Sequence, residues 1–391
     1  MRKTTVMIML LLTGASHCFS QKLKSMEQIT EEVMKNASEQ YIEMDAHLKW
    51  GECPRMFENG KLVTSGISWW CSGFYPGTLW YLYEYTRSER LKLLAQKHTE
   101  QLVPLKDRKT DHDIGFQFFC SFGNGYRLTG NTDYLDMVRT GAQTLAARFN
   151  PMVGCTRSWS SNTEKWKYPV IIDNMMNLEL LMWVGERYKD ANLKNVAITH
   201  ANTTMRNHFR PDYSTYHLVD YDPTTGEIRK RQTVQGYNDS SKWARGQAWA
   251  LYGYTMMYRF TRSSRYLALA ESIASLLIPL LPDDGIPYWD FNSPDIPNDY
   301  RDASAGSIMA SALIELSQYS KDSKELYLST AEKQLRTLAS PEYLAQVGSN
   351  GNFLLKHSVG NKPGNSEVDV PLTYADYYFI EALIRWQDLK R

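Results

Sequence analysis

Apolar residues recur at spacings of three and four along most of the chain, and a short polar turn keeps interrupting them. It reads Tyr85-Thr-Arg-Ser-Glu-Arg-Leu91, then Tyr126-Arg-Leu-Thr-Gly-Asn-Thr-Asp-Tyr-Leu135, then Tyr188-Lys-Asp-Ala-Asn-Leu193. It returns as Tyr258-Arg-Phe-Thr-Arg-Ser-Ser-Arg-Tyr-Leu267 and as Tyr319-Ser-Lys-Asp-Ser-Lys-Glu-Leu326. An aromatic helix end, a polar turn and a fresh apolar-periodic start, repeated in this way, mark an internal repeat of helix pairs. The pattern predicts helices over 243–260 and 265–280 as one such pair. With further helices over 26–47 and 372–389, the total is about a dozen. Strand signals are sparse, at 216–221 and 228–234.

Helical hairpins either stack into an open solenoid or close into a ring, and closure removes the need for polar end caps. The expected fold class is all-α, an (α/α)6 barrel of six helical hairpins. No linker rich in Gly, Pro or Ser divides the chain, so residues 21–391 are expected to form one domain. In such a ring the inner helices begin at one mouth. The long stretches 150–169, 211–242, 282–302 and 340–371 are expected to build that mouth.

Residues 1–20 change the picture of where the protein works. Met1-Arg2-Lys3, an apolar run over 6–13 and a small, polar end at Ser20-Gln21 have the layout of a secretory signal. The expected location is outside the cytoplasm, in a bacterial periplasm. Cys18 raises lipoprotein anchoring instead, but His17 before it lacks the small side chain such processing prefers. No later segment is apolar enough to cross a bilayer. Lys and Arg number 44 against 43 Asp and Glu, so no basic field exists to hold nucleic acid. Cys53, Cys71, Cys120 and Cys155 form no Cys-x-x-Cys pair, and free buried thiols are expected.

Aromatic residues make up 13% of the chain, with 11 Trp and 25 Tyr, and flat faces with a polar handle suit sugars as well as cores. Where long loops meet helix starts, two acids stand out: Asp113 in His112-Asp113-Ile-Gly-Phe, and Asp173 in Ile172-Asp173-Asn-Met-Met-Asn177. An aspartate in either place ordinarily caps its helix. Asp173, however, follows the apolar Val170-Ile-Ile, and an apolar setting lets a carboxyl keep its proton to higher pH. A general acid needs that property. In Gln235-Gly-Tyr-Asn-Asp-Ser-Ser-Lys-Trp243-Ala-Arg245-Gly-Gln-Ala-Trp249, Arg245 and Trp249 share one helix face. Such a pair either grips a sugar carboxylate or is an arginine packed on a core tryptophan. His217 is a lone histidine in a strand-like segment, where a structural role is usual. The histidines lack ligand spacing, so neither a metal nor a cofactor is expected.

Taken in order, Trp70-Cys-Ser-Gly-Phe-Tyr-Pro-Gly, His112-Asp113-Ile-Gly-Phe, Asp173-Asn-Met-Met-Asn, Trp243-Ala-Arg-Gly-Gln-Ala-Trp249 and Tyr374-Ala-Asp-Tyr resemble the unsaturated glucuronyl hydrolases of glycoside hydrolase family 88. The resemblance covers nearly all of the mature chain. It implies an (α/α)6 barrel that hydrates the C4=C5 double bond of the terminal unsaturated uronic acid left by polysaccharide lyases. The hemiketal formed then opens, and the glycosidic bond breaks without displacement at the anomeric carbon. The carboxylate-spacing rule for ordinary glycosidases does not apply to such chemistry.

By the same resemblance Asp173 is the general acid and base, and Asp113 is a second essential acid that holds sugar hydroxyls and tunes the charge of Asp173. His112, His217, Gln235, Arg245 and Trp249 match positions lining the uronate subsite, and Tyr374 is a further substrate-binding position. Trp70 and Trp159 match stacking or gating aromatics. Family members often have histidine before the Gln-Gly pair, where this chain has Val234. The stretch 356–370, with Ser358, Asn365 and Ser366, falls where the family is thought to choose between sulfated and unsulfated partners. The expected partner is an unsaturated uronic-acid oligosaccharide from a glycosaminoglycan. Rival readings are an unsaturated rhamnogalacturonyl hydrolase acting on pectin fragments, a sugar isomerase with paired histidine bases, and a non-catalytic sugar-binding barrel.

Overall fold

Burial separates the helices into two kinds. The computed structural model describes residues 24–389. The export signal expected at 1–20, with Cys18, lies outside the described residues. In chain order the helices are α1 (Met26–Ala46), α2 (Phe74–Thr86), α3 (Glu89–Glu100), α4 (Ile114–Phe118), α5 (Asn124–Thr129), α6 (Thr132–Ala146) and α7 (Asn174–Arg187). They continue as α8 (Ala191–Asn207), α9 (Ala244–Thr261), α10 (Ser264–Leu277), α11 (Ala303–Leu316), α12 (Lys324–Leu338) and α13 (Thr373–Asp388). A π-helical turn, Phe119–Gly123, joins α4 to α5 as one rod. Every residue of α11 except Glu315 is buried. In α12, by contrast, burial follows a stripe through Tyr327, Ala331, Leu335 and Leu338. A helix apolar all round belongs inside, and one with a single stripe belongs outside.

The inner ring is α2, the α4–α5 rod, α7, α9, α11 and α13. Each packs on the next, and α13 packs back on α2, which closes the ring. The outer helices α1, α3, α6, α8, α10 and α12 cover it. The expected (α/α)6 barrel is the observed architecture, and the repeated turn explains its regularity. At Thr86, Thr129 and Thr261 the hydroxyl donates to the carbonyl four residues back, at 2.7, 2.6 and 2.7 Å. The same oxygen accepts the N–H two residues on, from Ser88, Asn131 and Ser263, each at 3.2 Å. The residue between, Arg87, Gly130 or Arg262, takes the left-handed conformation that ends a helix. One local device thus makes three inner-to-outer turns.

The opposite connections are long and carry the strands. β1 (Glu52–Glu58) pairs with β2 (Lys61–Gly66), and β3 (Phe149–Asn150) with β4 (Cys155–Thr156). β5 (Pro169–Ile171), β6 (Leu218–Tyr221) and β7 (Ile228–Gln232) form an antiparallel sheet, and β8 (Ser358–Asn361) pairs with β9 (Ser366–Val370). The strands expected at 216–221 and 228–234 are β6 and β7. Hairpins β1–β2 and β8–β9 were not foreseen. β1 buries only Cys53 and Pro54, so no alternating pattern announces it. Cys53, Cys71, Cys120 and Cys155 are free and buried, as expected. No helix among the described residues is long and apolar enough to cross a membrane.

Candidate active site

Strand register decides which side chains meet Asp173. β5 runs into Ile172 and Asp173, and Ile171 pairs with Leu218 on β6. Pairing extends one step further, with Ile172 N–H donating to His217 O at 2.9 Å. His217 is thereby placed beside Asp173, its Nε2 3.7 Å from Asp173 Oδ2. A second tie comes from Ser158, whose carbonyl accepts from His112 N at 2.8 Å. Its hydroxyl oxygen accepts from Ile171 N and from Asn174 Nδ2, both at 2.9 Å. Ser158 thus staples the turn before α4 to the turn before α7. Between those helices Phe116 N donates to Asn177 Oδ1 at 2.8 Å, and the close approach needs Gly115, where a Cβ would sit 2.4 Å from Asn177 Oδ1.

Neither Asp113 nor Asp173 caps its helix with its side chain, although both occupy the capping position. Asp190 and Asp302, in the same position on α8 and α11, do cap. Asp173 Oδ2 has no hydrogen-bond partner among the described residues. Burial pushes its carboxyl up to about 6; His112 and Arg245 oppose the rise, and Asp113 adds to it. Burial, followed by the negative charge of Asp111, holds the Asp113 carboxyl well above the usual range against Arg108 and Arg148. Asp113 Oδ1 lies 3.3 Å from His112 Nε2. Burial also lowers the His112 pKa, and the charge of Asp173 resists.

His217 is a neutral donor. Its Nδ1 accepts the N–H groups of Val234 at 3.0 Å and Gln235 at 3.3 Å, which assigns the ring proton to Nε2, facing Asp173. Burial, and then Arg245, lower its pKa to about 3. The ring packs on Trp243 at 4.5 Å. The structure therefore brings the lone histidine together with Asp173, and Val234 reaches it through its backbone.

Arg245 is 1% exposed. One Nη donates to Val359 O, the other to Gly360 O at 2.8 Å, and Asp302 Oδ2 lies 3.5 Å away. Its guanidinium stacks over Trp243 at 4.5 Å, with Tyr374 at 5.2 Å. The stacking partner is Trp243 and not Trp249, the indole pairing read from the helix face. Trp249 lies fully buried beneath, against Phe116 at 5.4 Å and Tyr378 at 5.3 Å. Gln235 Nε2 donates to Gly360 O at 3.0 Å. Trp70 is half-buried and packs at 4.8 Å on Tyr374, whose buried hydroxyl has no hydrogen-bond partner among the described residues. Trp159 is half-buried against Trp166 at 5.2 Å and paired by a backbone bridge to Asp111. Trp243 and Asp302 were missed as site residues. Asp302-Ala-Ser304 opening an apolar stretch was the available signal for the second. Among the described residues no group of three or more His, Cys, Asp or Glu has an arrangement that could hold a metal.

Carboxyls raised by burial, with aromatic faces beside them, equip a site for acid chemistry on a sugar ring, and the molecule is a glycoside hydrolase. The family model described as Glycosyl Hydrolase Family 88 matches residues 25–389, and the chain belongs to that family. It is 47% identical over 323 residues to an unsaturated glucuronyl hydrolase of Formosa agariphila, covering 82% of this chain and 80% of that one. It is 31% identical over 373 residues to an unsaturated chondroitin disaccharide hydrolase of Streptococcus agalactiae, covering 94% and 93%. Among solved structures, an unsaturated glucuronyl hydrolase specific for heparin superposes with a TM-score of 0.90 at 44% identity, covering 93% of this chain and 98% of that one.

Proposed function

We propose that this hydrolase removes the terminal 4,5-unsaturated uronic acid from lyase-generated glycosaminoglycan oligosaccharides, with Asp173 as the proton donor. The observation that carries the reading is the Asp173 carboxyl: buried, uncapped, pushed up to about 6 and faced by a neutral Nε2–H. Protonated Asp173 gives its proton to C4, positive charge develops at C5 beside the ring oxygen, and water adds there. The Asp173 carboxylate takes the proton that water loses, so the residue ends the cycle as it began. The C5 hemiketal opens to a ketone, which leaves C1 as a hemiacetal that releases the leaving sugar.

Asp113 holds ring hydroxyls and, when ionised, raises the proton affinity of Asp173. His112, His217 and Gln235 line the uronate subsite, where Arg245 supplies positive charge. Trp70, Trp159 and Tyr374 flank the sugar, and Trp249 forms the floor. Residues 21–391 act as one catalytic unit.

The test is a panel of unsaturated disaccharides from chondroitin, heparin and rhamnogalacturonan, followed by loss of the double-bond absorbance. Consumption of a glycosaminoglycan product is expected. Consumption of the rhamnogalacturonan product alone would replace this reading with a pectin-directed one. The proposal also places the mature enzyme in a bacterial periplasm, with a mature start near Gln21. N-terminal sequencing of the native protein tests this, and a retained Met1 refutes it.

A further inference from the structure

Asp302 binds three structures at once. Its Oδ1 caps α11, accepting from Ser304 N at 3.0 Å and Ser304 Oγ at 2.6 Å. The same oxygen accepts from Val359 N at 3.3 Å on β8. Its Oδ2 lies 3.5 Å from an Arg245 Nη and has no hydrogen-bond partner among the described residues. Arg245 in turn donates to Val359 O and Gly360 O, the second of which also receives Gln235 Nε2. Ala303 N donates to His357 O at 2.9 Å, so the chain entering β8 is pinned on both sides. Asp302 is 0% exposed and Arg245 is 1% exposed. A guanidinium so buried needs a counter-charge, and removing one partner of such a pair leaves the other charge uncompensated.

We infer that Asp302 is a positioning residue: it holds Arg245 and the β8–β9 hairpin in one geometry and balances the guanidinium charge that acts on Asp173. The charged and titratable groups around Asp173 are His112 and Asp113 ahead of α4, His217 ahead of β6 and Arg245 on α9. Asp302 ahead of α11 and Glu367 on β9 act on Arg245 from behind. Arg245 favours the ionised form of Asp173, and Asp302, whose carboxyl burial raises against the pull of the same guanidinium, offsets that pull when ionised. The sign follows. Without the Asp302 charge the field at Asp173 becomes more positive, the carboxylate is favoured and the proton is released at lower pH.

This inference rests on Asp173 as proton donor, and the experiment separates the two ideas. Asp302→Asn keeps an oxygen in place of Oδ1 and removes only the charge. Asp302→Ser serves as a second uncharged variant, since serine caps a helix as well as aspartate does. Melting temperature, kcat and KM are followed across pH with the unsaturated disaccharide that the unaltered enzyme consumes. Both variants are expected to fold and to move the alkaline limb of kcat/KM to lower pH, by on the order of one unit. Asp302→Ala, which also frees the hairpin, is expected to raise KM about tenfold as well. An unmoved limb in Asp302→Asn and Asp302→Ser, or failure of both to fold, would overturn the inference and leave Asp302 a structural cap. An unaltered enzyme that consumes no unsaturated disaccharide instead refutes the proposed function.

Discussion

Asp173→Asn separates the catalytic role proposed for Asp173 from folding, because the burial that raises its carboxyl also destabilises the fold once the group ionises. Its carboxyl rises from 3.8 to about 6, chiefly through burial. The folded protein therefore binds this proton more tightly than the unfolded chain, and the stability it gives is fully present below about pH 3.8. That stability is lost as pH rises toward 6 and stays lost above it. A shift of about two units corresponds to about 3 kcal/mol at 1.36 kcal/mol per unit. At roughly 2.1 cal/mol/K per residue over the described chain, that is about 4 °C in Tm. Asparagine keeps the shape, cannot ionise, and disturbs no cap, because Asp173 makes none. Relative to the unaltered enzyme, Asp173→Asn should therefore gain about 3 kcal/mol between pH 3.5 and 7.5. Its turnover should fall by about 10²- to 10⁴-fold, the usual worth of a general acid. Urea titrations at several pH values and initial rates on the disaccharide measure the two effects. Parallel stability profiles would refute the burial argument, and near-normal turnover would refute the catalytic one.

Other variants probe the surroundings. Arg245→Ala should raise KM more than it lowers kcat, because Arg245 holds the hairpin and, in the proposed mechanism, acts on the uronate's charge; a kcat-dominated loss would place it on the transition state. Gly115→Ala forces a Cβ to within 2.4 Å of Asn177 Oδ1 and 2.7 Å of Asn177 Cα. A loss of about 1–3 kcal/mol is expected in denaturant unfolding, together with lower activity as α4 and α7 part; an unchanged midpoint would show that the helices are free to shift. The acid role of Asp173 predicts that kcat/KM falls as pH rises through about 6, as its carboxyl ionises. A profile flat from pH 5 to 8 would contradict it.

The barrel was legible because its instructions are local. The Thr-Arg-Ser and Thr-Gly-Asn turns each close their own hydrogen bonds within seven residues, so a repeat in sequence is a repeat in structure. Hairpins β1–β2 and β8–β9 were not legible, since what they pack against is remote in the chain: Arg55 on β1 reaches Glu367 on β9 at 2.5 Å. The site divided the same way. Asp113 and Asp173 could be picked out at helix starts, but the sequence position that suggested a cap is identical for Asp302, which does cap. Only the direction of the side chain separates a capping aspartate from an uncapped one, and tertiary packing sets that direction. The Arg245–Trp249 pairing failed for a related reason. Four residues along a helix brings two side chains to one face, but the guanidinium found a nearer indole in Trp243, just outside the helix.

One tension in the architecture explains why the two acids avoid their own helix amides. The six inner rods all begin at the same mouth, and each helix start carries partial positive charge. That field suits the carboxylate of a uronic acid arriving from solvent. It works against an acid that must keep its proton, since a carboxyl hydrogen-bonded to first-turn amides is held ionised. A helix start is worth about 0.3–1 kcal/mol to a neighbouring anion, less than the penalty of about 3 kcal/mol implied by burying Asp173. Turning the side chain off the amides and into a buried pocket lets burial win at Asp173. At Asp302 burial also raises the carboxyl, but a guanidinium and three donors oppose it. One helix-start motif thus places both an uncapped buried carboxyl and the capping partner of a guanidinium at the same mouth.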